Sequence, residues 1–381
     1  MIAFQILLFA IGLVMLIKGG DWFVDSASGI ARRFHLPELL IGATVVSIGT
    51  TLPEVMVSAQ GAMAGSGGMA YGNAIGSIIC NTSLIAALTI AIKPGKVERK
   101  SLVLPVASFF IAAVFYVLVA YFMGKFTRWV GIVLVAGFVA YMAVTLLSMK
   151  KGGTPEIAES EEDTDGDDSS FSVKGLITEA VVSLVGGGFM IYKGGVIAII
   201  AIAMLVVFAV YTVMALVSYK RGKALGMLRE IMFLIVGAAI IAGGANLLVD
   251  SGTYIAETLG VPDTVIALTF VALGTSLPEL VTAITSLLKG HGALSLGNII
   301  GANLFNLVLV SGVSVLISPF PVPSESDIAG IPASLVLDIP VMLAVMLLMT
   351  VPTLIRGKLA RWQGISLLLV YAAFCTIQFA M

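Results

Sequence analysis

Two short stretches carry a carboxylate and a helix-breaking proline into long apolar runs: Gly49-Thr50-Thr51-Leu52-Pro53-Glu54 and Gly274-Thr275-Ser276-Leu277-Pro278-Glu279. They lie 225 positions apart, and the same offset carries Gly72-Asn73 onto Gly297-Asn298, Gly76 onto Gly301 and Asn81 onto Asn306 without a gap. A charged side chain at mid-bilayer costs roughly 2.5–3.5 kcal/mol on insertion scales, so an acid placed there calls for a partner. No Lys or Arg occurs in either motif span, which leaves a mobile cation, or a proton when the site is empty, to offset Glu54 and Glu279. Pro53 and Pro278 lack an N–H and clash with the carbonyl four residues back, which frees C=O groups near Gly49 and Gly274. Unpaired carbonyls at that depth are tolerated where they line a cavity. Thr50, Thr51, Thr275 and Ser276 add hydroxyls within one turn, and Asn81 and Asn306 add amide oxygens from the next helix. This all-oxygen inventory suits a hard cation, Ca2+ or Na+, rather than zinc or copper. Two carboxylates balance one Ca2+ or two Na+. If the repeats rearrange only when neutralised, one ion must return for another, which is antiport.

The elements that position these residues are membrane spans. With 59% hydrophobic residues, 11% charged residues and a mean hydropathy of +1.08, the chain reads as an all-α integral membrane protein rather than a soluble enzyme. A net charge of −1 gives no signal for nucleic acid, and no cofactor motif is present. Spans are expected at 2–31, 39–62, 69–92, 101–123 and 128–149, and again at 228–256, 264–288, 294–317, 333–353 and 362–380. Each has about the 20 residues that a bilayer crossing needs. The N-terminal stretch lacks a basic leader and a small-residue cleavage site, so it counts as the first span.

Four segments follow: a first five-helix repeat (1–149), an acidic linker (150–173), an extra helical hairpin (174–227) and a second repeat (228–381). The linker holds eight acids between Glu156 and Asp168 in a pattern that does not match a calcium loop. The hairpin brings the expected spans to twelve, or ten if it does not cross. One set of alternate loops collects Arg32, Arg33, Lys93, Lys96, Arg99, Lys100, Lys150, Lys151, Lys174, Lys220, Arg221, Lys223, Arg229, Lys289, Arg356, Lys358 and Arg361, and the other holds only Lys125, Arg128 and Lys193. The basic side is cytoplasmic, so both termini face outward and the linker faces inward. Repeats of five spans must then insert in opposite orientations, the plan of a secondary transporter with a midplane site.

Several residues read as structural. Gly72, Gly76, Gly297 and Gly301 are expected at close helix contacts. Asn73 and Asn298 serve as ligands or as packing hydrogen bonders, with packing preferred. Asp338 is an acid within a span without a mate in the first repeat, where Ala113 stands, and reads as an ion or proton relay. Cys80 and Cys375 read as buried thiols without a disulfide. His35 and His291 fall in loops and carry no assigned role.

The paired Gly-Thr-(Thr/Ser)-Leu-Pro-Glu segments, each followed by Gly-Asn-x-Ile-Gly and Asn, resemble the two alpha repeats of the sodium/calcium exchangers in the calcium/cation antiporter superfamily. The resemblance implies a ten-helix inverted-repeat core in which Ca2+ and Na+ compete for one central cluster. It implies that Glu54 and Glu279 serve both ions, that Thr50 and Thr275 contribute mainly through backbone carbonyls, and that Thr51 and Ser276 join the Na+ sites. Asn81 and Asn306 stand beside the central position, and Ser77 completes the cation-binding set. Where family members read Gly-Ser-Asn-(Ile/Leu)-Phe-Asn, this chain has Gly76-Ser77-Ile78-Ile79-Cys80-Asn81 and Gly301-Ala302-Asn303-Leu304-Phe305-Asn306. Asn306 occupies a place that is Asp in potassium-dependent members, which disfavours K+ co-transport. The expected activity is Ca2+ export in exchange for Na+ across the plasma membrane. The rivals are a H+/Ca2+ antiporter, a cation channel, and an intramembrane hydrolase, for which no His or Cys is suitably placed.

Overall fold

The computed structural model describes residues 2–34, 36–151, 188, 202, 204–210, 226–258, 274, 276–324, 327–328 and 330–380. The linker beyond Lys151, nearly all of the predicted extra hairpin, residues 264–273 of the seventh predicted core span, Thr275 and His35 lie outside them. The helices used below are α1 (Ile2–Arg33), α2 (Glu38–Met63), α3 (Gly67–Ile92), α4 (Arg99–Met123), α5 (Arg128–Lys151), α6 (Gly226–Thr258), α7 (Leu277–Leu288), α8 (Gly292–Ile317), α9 (Ser334–Arg356) and α10 (Arg361–Ala380). Eight helices among the described residues are long and apolar enough to cross a membrane.

Two compact units divide the chain, Met1–Leu36 with Lys151–Gly274, and Pro37–Lys150 with Thr275–Met381. The first unit is built on α1 and α6, which meet through glycines. A Cβ added at Gly12 would lie 3.0 Å from the Gly244 carbonyl, and one at Gly237 would lie 3.0 Å from the Gly19 carbonyl. Residue numbers rise on one helix as they fall on the other, so the pair is antiparallel. Gly12 and Gly237, and Gly19 and Gly244, are again 225 apart. Beside this seam Met15, Phe233, Val236 and Ile240 pack with Met204 and Phe208.

The second unit holds the motif helices. Here α2 and α8 pack with residue numbers rising together: Gly297 meets Leu39, and Gly301 meets Ala43 and Ser47. The two helices are therefore parallel. Glu38 Oε1 lies 2.7 Å from His291 Nδ1 and ties their starts together, giving His291 the partner that its loop position did not reveal. Three residues separate α2 from α3, so α3 runs back against α2. Gly65 sits in this turn at φ +78° and its mate Gly290 sits before α8 at φ +84°, a conformation that other residues adopt only under strain. Helices α3 and α8 start and end 225 positions apart, and each widens into a π-helical turn at its asparagine, Asn81–Ala86 and Asn306–Val310. Such turns recur at functional sites.

One expectation changes. Pro53 lies inside a continuous helix, whereas Pro278 occupies the first turn of α7, where a missing N–H has no partner to lose. A Cβ on Gly297 would stand 2.1 Å from the Leu39 carbonyl and one on Gly301 2.2 Å from Ser47 Oγ, which is close packing as expected. Gly72 and Gly76 line a cavity of about 240 Å³, and the positions that mirror Leu39, Ala43 and Ser47 (264, 268 and 272) lie outside the described residues.

Gly301→Ala should therefore lower the thermal unfolding midpoint in detergent, by overpacking worth about 1–3 kcal/mol. An unchanged midpoint would contradict the close contact of α8 with α2.

Candidate cation site

Glu54 on α2 and Glu279 on α7 are both fully buried within the second unit, and each carboxylate lies in the field of the other's charge. None of their four side-chain oxygens has a hydrogen-bond or ion-pair partner among the described residues. Asn81 and Asn306 are likewise fully buried, with both amide atoms of each unpartnered, as are the hydroxyls of Thr51 and Ser276. Buried polar groups in folded proteins are nearly always bonded, because an unmade bond costs about 1–3 kcal/mol. Buried oxygens without partners are what a desolvated cation requires, and carboxylate, amide and hydroxyl oxygens suit a hard cation in kind.

The predicted residues divide between unmet groups and groups that hold the framework. Thr50 donates from Oγ1 to Asn298 Oδ1 at 3.1 Å. Asn298 therefore couples α8 to α2, and its Nδ2 remains unpartnered. Asn73 donates from Nδ2 to the backbone carbonyl of Glu54 at 3.2 Å and to Ser58 Oγ at 2.7 Å, which fixes the turn that presents Glu54. Ser77 is buried on α3, and Gly49 and Gly274 are half-buried. Thr275 lies outside the described residues. Asp338 stands apart from the glutamates: it accepts from Gln378 Nε2 at 2.7 Å and lines the cavity with Gly72, Gly76, Tyr71 and Ser334.

Three polar groups escaped the sequence reading. Ser47 Oγ lies 2.7 Å from the Gly42 carbonyl and 2.9 Å from the Asn298 carbonyl, in the seam that Gly301 opens. Asn303 donates to Thr82 Oγ1 at 2.7 Å and leaves its own Oδ1 unmet. Thr282, one turn beyond Glu279, has an unpartnered hydroxyl. Their signal was polarity inside an apolar span, and none repeats in kind at the 225 offset, so the repeat did not flag them.

A family model described as sodium/calcium exchanger protein matches residues 4–147 and 230–380. The chain is 29% identical over 388 residues to sodium/calcium exchanger MaX1 of Methanosarcina acetivorans, covering 100% of this chain and 99% of the relative. It is 31% identical over 312 residues to inner membrane protein YrbG of Escherichia coli, covering 82% and 79%. Its fold is similar to the solved sodium-calcium exchanger NCX_Mj soaked with 10 mM Na+ and zero Ca2+, with a TM-score of 0.67, 28% identity and 99% of each chain covered.

A cation that binds only the folded site stabilises by mass action, by about 2.7 kcal/mol at a concentration a hundredfold above its Kd. Added Ca2+ should raise the unfolding midpoint of the purified protein in detergent. Glu54→Gln and Glu279→Gln should each remove most of that rise. A rise that survives both substitutions would place the ion elsewhere.

Proposed function

The chain belongs to the sodium/calcium exchanger protein family, a family of membrane cation exchangers, and from that premise we propose that it exports Ca2+ from the cytoplasm in exchange for Na+ by alternating access. The observation that carries this reading is the pair Glu54 and Glu279, buried, mutually repelling and without a protein counter-charge among the described residues. One Ca2+ or two Na+ neutralise the pair, and a site left empty holds two like charges away from water. Such a carrier rearranges when loaded and stalls when empty, which couples the two fluxes.

Within this proposal Glu54 and Glu279 bind both ions. Thr50, Thr51, Thr275, Ser276, Ser77, Asn81 and Asn306 complete the oxygen shells, with Asn73 and Asn298 orienting Glu54 and Thr50. The antiparallel α1 and α6, and the opposite directions of α3 and α8, support two inverted five-helix repeats. The extra hairpin brings the proposed count to twelve spans. The basic loops support a cytoplasmic linker and extracellular termini in a plasma membrane.

Isotopic Ca2+ uptake into proteoliposomes tests the proposal. Uptake should need Na+ inside, persist when the pH gradient is collapsed and stay unchanged by a K+ gradient. Glu54→Gln and Glu279→Gln should each reduce it at least about a hundredfold, the loss expected when a charge-neutralising ligand goes. Uptake driven by a pH gradient without Na+ would replace the proposal with H+/Ca2+ exchange, and near-normal flux in either variant would remove the charge argument.

A further inference from the structure

Asn81 on α3 and Asn306 on α8, which open the two π-helical turns, flank a polar contact between their helices. Asn303 lies one turn before Asn306, and its Nδ2 stands 2.7 Å from Oγ1 of Thr82, the residue that follows Asn81. Both side chains are fully buried. So is Met346 of α9, whose Sδ lies 3.2 Å from the same Nδ2 and 3.4 Å from Thr82 Oγ1. Hydrogen counting fixes the direction of this contact. Thr82 Oγ1 lies 2.8 Å from the Ile78 carbonyl, a nearer and stronger acceptor than the sulfur, and spends its one hydrogen there. Only lone pairs are then left for Asn303, so the amide must turn its nitrogen toward them, and its two hydrogens go to Oγ1 and Sδ.

The 225 offset shows what is particular about this pair. The mate of Asn303 is Ile78 and the mate of Thr82 is Leu307, both apolar and fully buried. Each position is therefore polar in one half of the chain only, and the two polar members bond to each other. The contact lies where the α-helical part of each helix packs on the π-helical turn of the other. A hydrogen bond is short and directional, whereas apolar contact is non-directional and lets helices slide. We propose that the bridge from Asn303 to Thr82 is a positioning contact that fixes the separation of the Asn81 and Asn306 amides, and that it thereby makes the site discriminate among divalent cations by size. The inference deepens the proposed exchange and rests on those two amides being cation ligands. Selectivity among hard cations follows from cavity size and ligand flexibility. With the bridge gone, α3 and α8 part more easily, and a larger ion is accepted at the expense of Ca2+.

Calorimetric titration of the purified full chain with Ca2+ and, separately, with Ba2+ in Na+-free detergent reads the site without transport. The unsubstituted protein should prefer Ca2+. Thr82→Val, which keeps shape and removes the hydroxyl, and Asn303→Leu should each cut the ratio of Ca2+ to Ba2+ affinity about tenfold, the size of one lost hydrogen bond. Thr82→Ser, which keeps the hydroxyl, should retain the ratio of the unsubstituted protein. Thr82→Val should also lower the metal-free unfolding midpoint, because it strips a buried amide hydrogen of its acceptor. Combining Thr82→Val with Asn303→Leu gives an apolar pair like Ile78 and Leu307, so the midpoint should recover while the ratio stays low. A merely structural contact would recover both. A ratio unchanged in the single variants, restored in the double one or lowered in Thr82→Ser overturns the proposal, as does an unsubstituted protein without preference for Ca2+. If Ca2+ does not bind the unsubstituted protein at all, the exchange reading falls as well, whereas intact binding with an unchanged ratio overturns this inference alone.

Discussion

Two buried acids, Glu54 and Glu279, whose carboxylates have no partner among the described residues, set the terms for the second unit. Coulomb repulsion between carboxylates strengthens as the local dielectric falls, and desolvation adds to it, so in the proposed site the pair ionises together only when a movable cation neutralises it. The surrounding side chains fit this requirement. Among the described residues the side-chain polar atoms of Asn81 and Asn306 and the hydroxyls of Thr51 and Ser276 have no partner, while Asn73, Ser47 and the Oδ1 of Asn298 hold α2, α3 and α8 together. In the proposed site the first group supplies ligands and the second fixes where they stand.

The two halves have diverged around this shared requirement. Gly297 and Gly301 bring α8 against α2 at backbone distance, and Gly72 and Gly76 share a cavity lining with Asp338. Pro53 interrupts a helix that continues through it, and Pro278 begins one. Phe305 packs edge-on against Phe138, whereas its mate Cys80 lies 4.0 Å from the Tyr371 hydroxyl. A duplicated sequence therefore supports two half-sites of similar chemistry and different mechanical surroundings.

Much of this was legible in the sequence, because the signals were chemical and periodic. Acids within apolar runs mark unusual burial, and a fixed offset makes coincidence implausible, so Glu54, Glu279, Asn81 and Asn306 stood out. Span positions followed from apolar length. What escaped depends on three-dimensional neighbours. Gly12, Gly19, Gly237 and Gly244 were ordinary small residues until the α1 and α6 seam gave them a role. His291 carried no pattern at all, since its partner Glu38 lies on a helix 253 residues away in the chain.

The antiparallel seam between α1 and α6 has a bearing on biogenesis. Its two sides are made at opposite ends of translation, and the same holds for the parallel contact of α2 with α8. The first half leaves the ribosome before either seam has its second side, and Glu54 is made long before its mate. Loop closure over such separations is slow, so both seams close only after the second half has been synthesised.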